Sequence, residues 1–290
     1  MAQDINWFPG HMRKALNETA ENLKLVDLVL ETCDARVPYS SRNPELDKII
    51  EKKPRIIIFN KADLADPVKT DAWVAKIKRE GDWAVSLEAT TRKGAEKIVK
   101  LTEEIMSDVL AKAAAKGREG RPIRAMVVGV PNTGKSTLIN SLAGKKVAVT
   151  GNKPGVTRQP KWIRTEGRLE LMDMPGVLWP KIASKRSQLV LTATGAIKNE
   201  VTDNVEVAYG AINMLYELYP ELMEERFKVD RDACGGDEYE RFLAMGKKRG
   251  CLMSGGRVDE ERFARGFLDD LRSGRIGRIT LEVADVIKQE

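Results

Sequence analysis

"GVPNTGKST" (129–137) follows the apolar run "IRAMVVGV" (123–130) and leads into "KSTLINSLAG" (135–144), whose apolar positions recur at helical spacing. Strand, glycine-bearing turn and helix in that order fit G-x-x-x-x-G-K-[ST] from Gly129 to Ser136. The glycines let successive backbone N–H groups turn inward onto an anion, Lys135 adds a point charge, and the helix presents its positive end. Asn132, Thr133, Gly134, Lys135, Ser136 and Thr137 are thereby assigned to a bound polyphosphate, with the Ser136 hydroxyl as a Mg²⁺ ligand.

Two further segments extend this site. "DMPG" (173–176) ends an apolar run 37 residues after Ser136, which suits Asp173 to hold Mg²⁺ through water and the Gly176 N–H to bond a γ-phosphate oxygen. Between them lies "GNKPGVTRQ" (151–159), in which Thr157 is either a second Mg²⁺ hydroxyl or an ordinary turn residue. Far upstream, "RIIIFN" (55–60) runs into Asn60-Lys61-Ala62-Asp63. A carboxylate at Asp63 accepts the N1 and N2 protons of guanine, a paired contact that adenine does not return, so the site selects GTP over ATP. In "SLEATTRKG" (86–94), Glu88 and Ala89 are placed to support guanine O6 through a backbone N–H.

The pieces run base reader, base support, phosphate loop, switch, Mg²⁺ strand, which rotates the usual order of such a domain without scrambling it. A parallel sheet tolerates rotation when the original ends lay close together. The helix expected at 93–116 and the polar "KGREGRP" (116–122) are the join. Apolar runs alternating with helical segments (12–25, 67–80, 93–116) predict a mostly parallel sheet covered on both faces, with a hairpin between "KWIRTEG" and "RLELMDMPG". From 184 onward the pattern is helical only, including 206–218, 238–248 and 261–274.

The 290 residues are 42% hydrophobic and 32% charged, as in a soluble α/β domain with a smaller one appended. No stretch reaches the roughly 18 apolar residues of a membrane span, and nothing marks the N-terminus for secretion, so no membrane partner and a cytoplasmic location are expected. Cys33, Cys234 and Cys251 suit neither a disulfide framework nor a zinc site and are taken as reduced thiols. The net charge of +6 is uneven: residues 1–180 hold 31 Lys and Arg against 23 Asp and Glu, and the remainder 18 against 20. Seven basic residues face one acid, Glu166, over 145–168, a polyanion contact. Lys247–Arg249 and Arg272, Arg275 and Arg278 are smaller clusters, either phosphate contacts or a solvated face.

With "WFPGHM" (7–12), "DARVP" (34–38), "FNKAD", "GVPNTGKST", "PGVTR" (154–158), "DMPGVLWP" (173–180) and "FLDDLRSGRIGRITLE" (267–282) in place, the chain resembles the circularly permuted GTPases of the bacterial ribosome biogenesis GTPase A family. The resemblance implies an α/β fold: a permuted P-loop GTPase domain over residues 1–182, followed by an all-helical domain over 183–290 that contacts ribosomal RNA. It further implies GTP binding and hydrolysis with Mg²⁺, and docking in the GTP state to a maturing large (50S) ribosomal subunit, with a monomer expected. Many GTPases place a Gln just after D-x-x-G to orient water, and here Val177 stands there. The resemblance gives a catalytic role to His11, the chain's one imidazole; its other role is to cap a helix beginning at 12. It also gives Asn132 a K⁺ ion to hold, against the alternative of a turn Asn bonding its own backbone. Two other functions compete: a signalling GTPase whose helical part binds protein, and an RNA-binding scaffold with an inactive nucleotide site. Intact Lys135, Ser136, Asp173 and Asp63 weigh against the scaffold.

Overall fold

A computed structural model of the chain describes residues 9–50, 53–148, 160–165, 167–179, 182, 184–197 and 203–284, with backbone alone for 9–12 and 233. Its centre is a six-stranded sheet in the order β3-β2-β1-β4-β6-β5. The strands are β1 (Leu28–Asp34), β2 (Arg55–Asn60), β3 (Trp83–Ser86), β4 (Ile123–Gly129), β5 (Lys161–Arg164) and β6 (Leu169–Asp173). Only the β5–β6 pair is antiparallel. β1 is buried along its whole length, as a central parallel strand covered on both faces must be.

Helices α1 (Pro9–Leu23) and α2 (Pro44–Ile50) cover one face around Val29, Met126 and Met172. α3 (Pro67–Arg79) packs Trp73 and Ile77 beside β2. α4 (Arg92–Ile105), α5 (Ser107–Ala114) and α6 (Lys135–Ala143) take the other face, over Leu30, Ile58 and Val127. From the β3 edge the chain returns through α4, α5 and residues 115–122 to the centre at β4, passing over β2 and β1. This is the join that the motif order required. It is two helices rather than one: at Met106, φ −94° and ψ 6°, the helix breaks where its buried face ends, and α5 buries no residue.

After β6 come α7 (Lys185–Ala193), α8 (Asn204–Leu218), α9 (Pro220–Phe227), α10 (Glu238–Lys248) and α11 (Glu260–Arg272). They enclose a core in which Phe242 meets Phe263 edge to face at 5.0 Å and Phe227 lies 5.8 Å from Phe267. Each fully buried ring contributes about 1.5–3 kcal/mol. α2, α7 and α9 were not individually predicted, because seven to nine residues are too few for a clear period; Asn43, Ser184 and the prolines at 44 and 220 were the available signals.

Residues 275–284 join the two halves: Ile276, Ile279 and Leu281 are buried in the helical core, while the backbone runs along the sheet half of the chain. Ile279 and Leu281 donate their N–H groups to Leu64 O and Arg36 O at 3.0 and 2.8 Å. Trp73 Nε1 donates to Glu282 O at 2.9 Å, and the Glu282 carboxylate accepts the Tyr39 and Ser40 N–H groups. The Tyr219 hydroxyl donates to Asp66 and receives the Thr280 N–H at 2.9 Å, knotting α9, the tail and the start of α3 together.

Candidate functional site

The strand order steps outward from β1 to β2 and β3, then restarts at β4 and runs the other way. Such a switch point opens a crevice beyond the carboxyl ends of the strands. Asp34, Asn60, Gly129 and Asp173 are the last residues of β1, β2, β4 and β6, so the motifs converge there.

At Gly134, φ is +88°, and a Cβ would lie 2.0 Å from Asn60 Nδ2; Gly129, at φ +149°, would place one 2.5 Å from Thr32 O. Both positions therefore need glycine, for conformation and for space. The close approach at Gly134 comes from the base-reading segment itself. Asn60 Nδ2 donates to Thr133 O at 2.9 Å, and its Oδ1 accepts the Ala89 N–H at 2.9 Å. One side chain thus ties phosphate loop, base reader and base support across 73 positions of sequence. Beneath the loop, the Thr133 and Thr32 hydroxyls share a 2.8 Å hydrogen bond.

Lys135 is buried, and its Nζ donates to Asp173 Oδ1 at 2.5 Å. Ser136 and Thr137 follow in the first turn of α6. Asp173 and Ser136 provide the hard oxygen donors that Mg²⁺ takes when phosphates complete its shell, so these residues fit the ion. Gly176 lies against the phosphate loop, where a Cβ would stand 3.2 Å from Pro131 Cα and N. Val177 is buried, and its carbonyl accepts Asn43 Nδ2 at 3.1 Å. Asn132, at φ +62°, donates Nδ2 to Gly195 O at 2.6 Å, joining the loop to the end of α7. Thr157 and the loop around it lie outside the described residues. α1 begins at Pro9 rather than 12, since proline suits the first helical position; His11 is in that first turn, with its side chain outside the described set.

In the segment read from sequence as the base reader, Asp63 is exposed. Ala62 donates its N–H to Leu87 O at 3.2 Å. Lys61, at φ +58°, reaches back with Nζ 2.8 Å from Asp34 Oδ2. Burial alone would raise the Asp34 carboxyl, but the Arg36 guanidinium and the Lys61 ammonium outweigh it and hold the pKa below the ordinary carboxylate range. Asp34 stays ionised, and Arg36 stays paired with it through contacts of 2.8–3.0 Å. Arg36 Nη1 also caps α11, at 3.2 Å from Leu271 O and from Arg272 O. The Ala89 N–H is spent on Asn60; the next one, at Thr90, has no acceptor among the described residues. Glu88 accepts the Thr90 hydroxyl and, through its carbonyl, the Thr91 N–H.

The family profile described as "50S ribosome-binding GTPase" matches residues 124–216. Ribosome biogenesis GTPase A of Bacillus cereus is 44% identical over 281 residues, covering 97% of this chain and 94% of that protein. The Thermotoga maritima protein of the same name is 31% identical, covering 96% and 94%. The chain belongs to the ribosome biogenesis GTPase A family. It is a GTPase that takes part in ribosome biogenesis. In structure it resembles GNP-bound YlqF from T. maritima, with a TM-score of 0.64 and 28% identity over 94% of this chain and all of that one. A GDP-bound YlqF structure gives 0.65 over 91% and 98%.

Three arginines counted from sequence as possible phosphate contacts each have a partner within the chain, although Arg275 and Arg278 are exposed. Arg272 donates to Thr192 O and Ala193 O, and Arg275 pairs with Asp270 at 2.7 Å. Arg278 spans the base-reading turn, with Nη2 2.9 Å from Ala62 O and Nε 2.9 Å from Ala65 O. Its only sequence signal was position within a basic tail. Because Asp63 sits between the two clamped carbonyls, Arg278→Met is expected to raise the Kd for GDP about tenfold, roughly 1.4 kcal/mol. Titration with a fluorescent GDP analogue checks this, and a Kd within twofold of wild type contradicts it.

Proposed function

We propose that the chain hydrolyses GTP with Mg²⁺ while docked, in its GTP state, on a maturing large (50S) ribosomal subunit, touching its ribosomal RNA, and acts as a cytoplasmic monomer. Residues 1–182 form the nucleotide-binding part and 183–290 the helical part. The observation that supports the nucleotide reading is the double contact of Asn60 with Thr133 and Ala89, which brings the segments assigned to base and phosphate together.

Asp63 accepts guanine N1–H and N2–H, and the Thr90 N–H, one residue beyond the position expected from sequence, serves O6 alongside the Glu88-Ala89 turn. Residues 132–137 and the Gly176 N–H wrap the phosphates. Lys135 exchanges Asp173 for the β and γ oxygens when they arrive. Ser136, Thr157 and Asp173 would hold Mg²⁺, which supplies charge neutralisation at the transferring phosphoryl group. A cation takes an amide through its oxygen, so the Asn132 carbonyl oxygen is the atom for a K⁺ ion. Val177 is apolar and buried, so orienting the attacking water falls to His11, ordered by the ribosomal particle; turnover without that particle is slow. The switch residues Leu178 and Ile182 pack with Val130, Leu191 and Ile197, which supports transmission of the γ-phosphate state to the helical part.

Replacing Asp63 with Asn turns an acceptor into a donor at the base. Asp63→Asn is expected to weaken GDP by at least 100-fold and to favour xanthosine diphosphate, which carries a carbonyl where guanine has an amino group. Equal loss for both nucleotides in competition titrations would remove Asp63 from the base site. Co-sedimentation with ribosomal subunits tests the rest: binding to the large subunit is expected with a non-hydrolysable GTP analogue and not with GDP. His11→Ala should still dock but lose stimulated hydrolysis. Docking indifferent to nucleotide, or on the small subunit alone, contradicts the proposal.

A further inference from the structure

Among the described residues, the sheet face that α1 and α2 cover around Val29, Met126 and Met172 is open at its edge strand β5, where Trp162 and Arg164 are exposed. On β5, Ile163 turns inward to the α4–α6 side, and Trp162 and Arg164 therefore point to the open side. Trp162 is 41% exposed, unusual for so large an apolar ring, and the Arg164 side chain is 89% exposed. With Leu25, Arg124 and Glu170 they line a cleft of about 330 Å³. The Arg124 guanidinium lies 5.3 Å from the Trp162 ring centroid. Glu170 receives Arg124 Nε at 3.1 Å and lies 3.4 Å from Arg164 Nε, fixing both forks. Neither arginine has an acceptor for its η-nitrogens among the described residues. The cleft therefore holds two guanidiniums, Arg124 and Arg164, against one acid among its lining residues, Glu170, with Arg168 exposed at the turn of the β5–β6 hairpin.

We propose that this cleft binds single-stranded RNA, with one unpaired base stacked on Trp162 and the flanking phosphates on Arg124 and Arg164. A ring with one open face, beside guanidiniums pinned through Nε, combines stacking with phosphate neutralisation, as binding of unpaired nucleic acid requires. The net positive rim selects a polyanion over an apolar protein surface or a neutral β-strand added at the β5 edge. This rests on the ribosomal reading above and specifies one contact within it.

The test is fluorescence anisotropy of the full chain with labelled octauridine RNA, beside a blunt RNA duplex, in saturating GDP across a salt series. Trp162→Ala is expected to weaken octauridine binding about tenfold, to leave duplex binding within twofold, and to leave GDP affinity unchanged; Trp162→Phe retains most binding because a ring remains. Arg164→Gln is expected to lower the salt slope by about 0.7, one phosphate on a single strand. Trp162→Ala binding octauridine like wild type overturns the inference, as does loss of GDP affinity in step with RNA. Large-subunit co-sedimentation separates this from the parent reading. Wild type that binds octauridine through Trp162 but never sediments with subunits preserves the cleft and removes the assembly role. Sedimentation and octauridine binding both indifferent to Trp162 do the reverse. A Trp162-dependent partner in lysate whose binding is insensitive to salt makes the surface a protein contact and also overturns the inference.

Discussion

The carboxamide of Asn60 is the joint between the glycine-rich loop at 129–137 and the segments at 60–63 and 86–94. It is buried at the end of β2, where an unsatisfied amide would cost about 1–3 kcal/mol, and both of its ends are used on backbone groups of other motifs. The phosphate loop can approach so closely only because residue 134 has no side chain. The order of motifs along the polypeptide then has no effect on their arrangement in space. What the permutation changes is the connection: β3 returns to β4 through α4 and α5, and the switch strand leads directly into the helices.

That direct exit has mechanical consequences. Asn132 holds the end of α7, Arg272 of α11 holds the same turn, and Arg36 caps α11 while pairing with Asp34 and, through it, with Lys61. A closed circuit therefore runs from the phosphate end of the crevice, through two helix termini, to the base end. The tail completes it, because Arg278 and Ile279 brace the segment that carries Asp63. The hydrogen bonds that tie α7 and α11 into this circuit come from Asn132, Arg272 and Arg36, whose side chains are buried or half-buried.

Much of this was legible before any coordinates. Contiguous motifs such as 60–63, 129–137 and 173–176 carry their chemistry in adjacent residues, and the sheet followed from short apolar runs separated by helices. Features requiring distant segments to meet were not legible. Nothing near Arg278 signals that its partners are Ala62 and Ala65, and nothing near Thr32 points to Thr133. Charge counts over 272–278 do not reveal that Arg272 and Arg278 bond backbone carbonyls and that Arg275 pairs with Asp270. The break at Met106 was hidden because both α4 and α5 have good helix formers, and only burial distinguishes them. That the Ala89 N–H bonds Asn60 was likewise invisible in sequence.

Amide hydrogen exchange of the full chain with and without GDP tests most directly whether two distant segments enclose one nucleotide. The account predicts that GDP slows exchange in 60–64, 88–91 and 130–137 together and with one concentration dependence. Asn60→Ala should weaken protection in all three segments at once. Protection confined to 130–137, with the 60–64 amides unchanged at saturating GDP, would contradict a shared site.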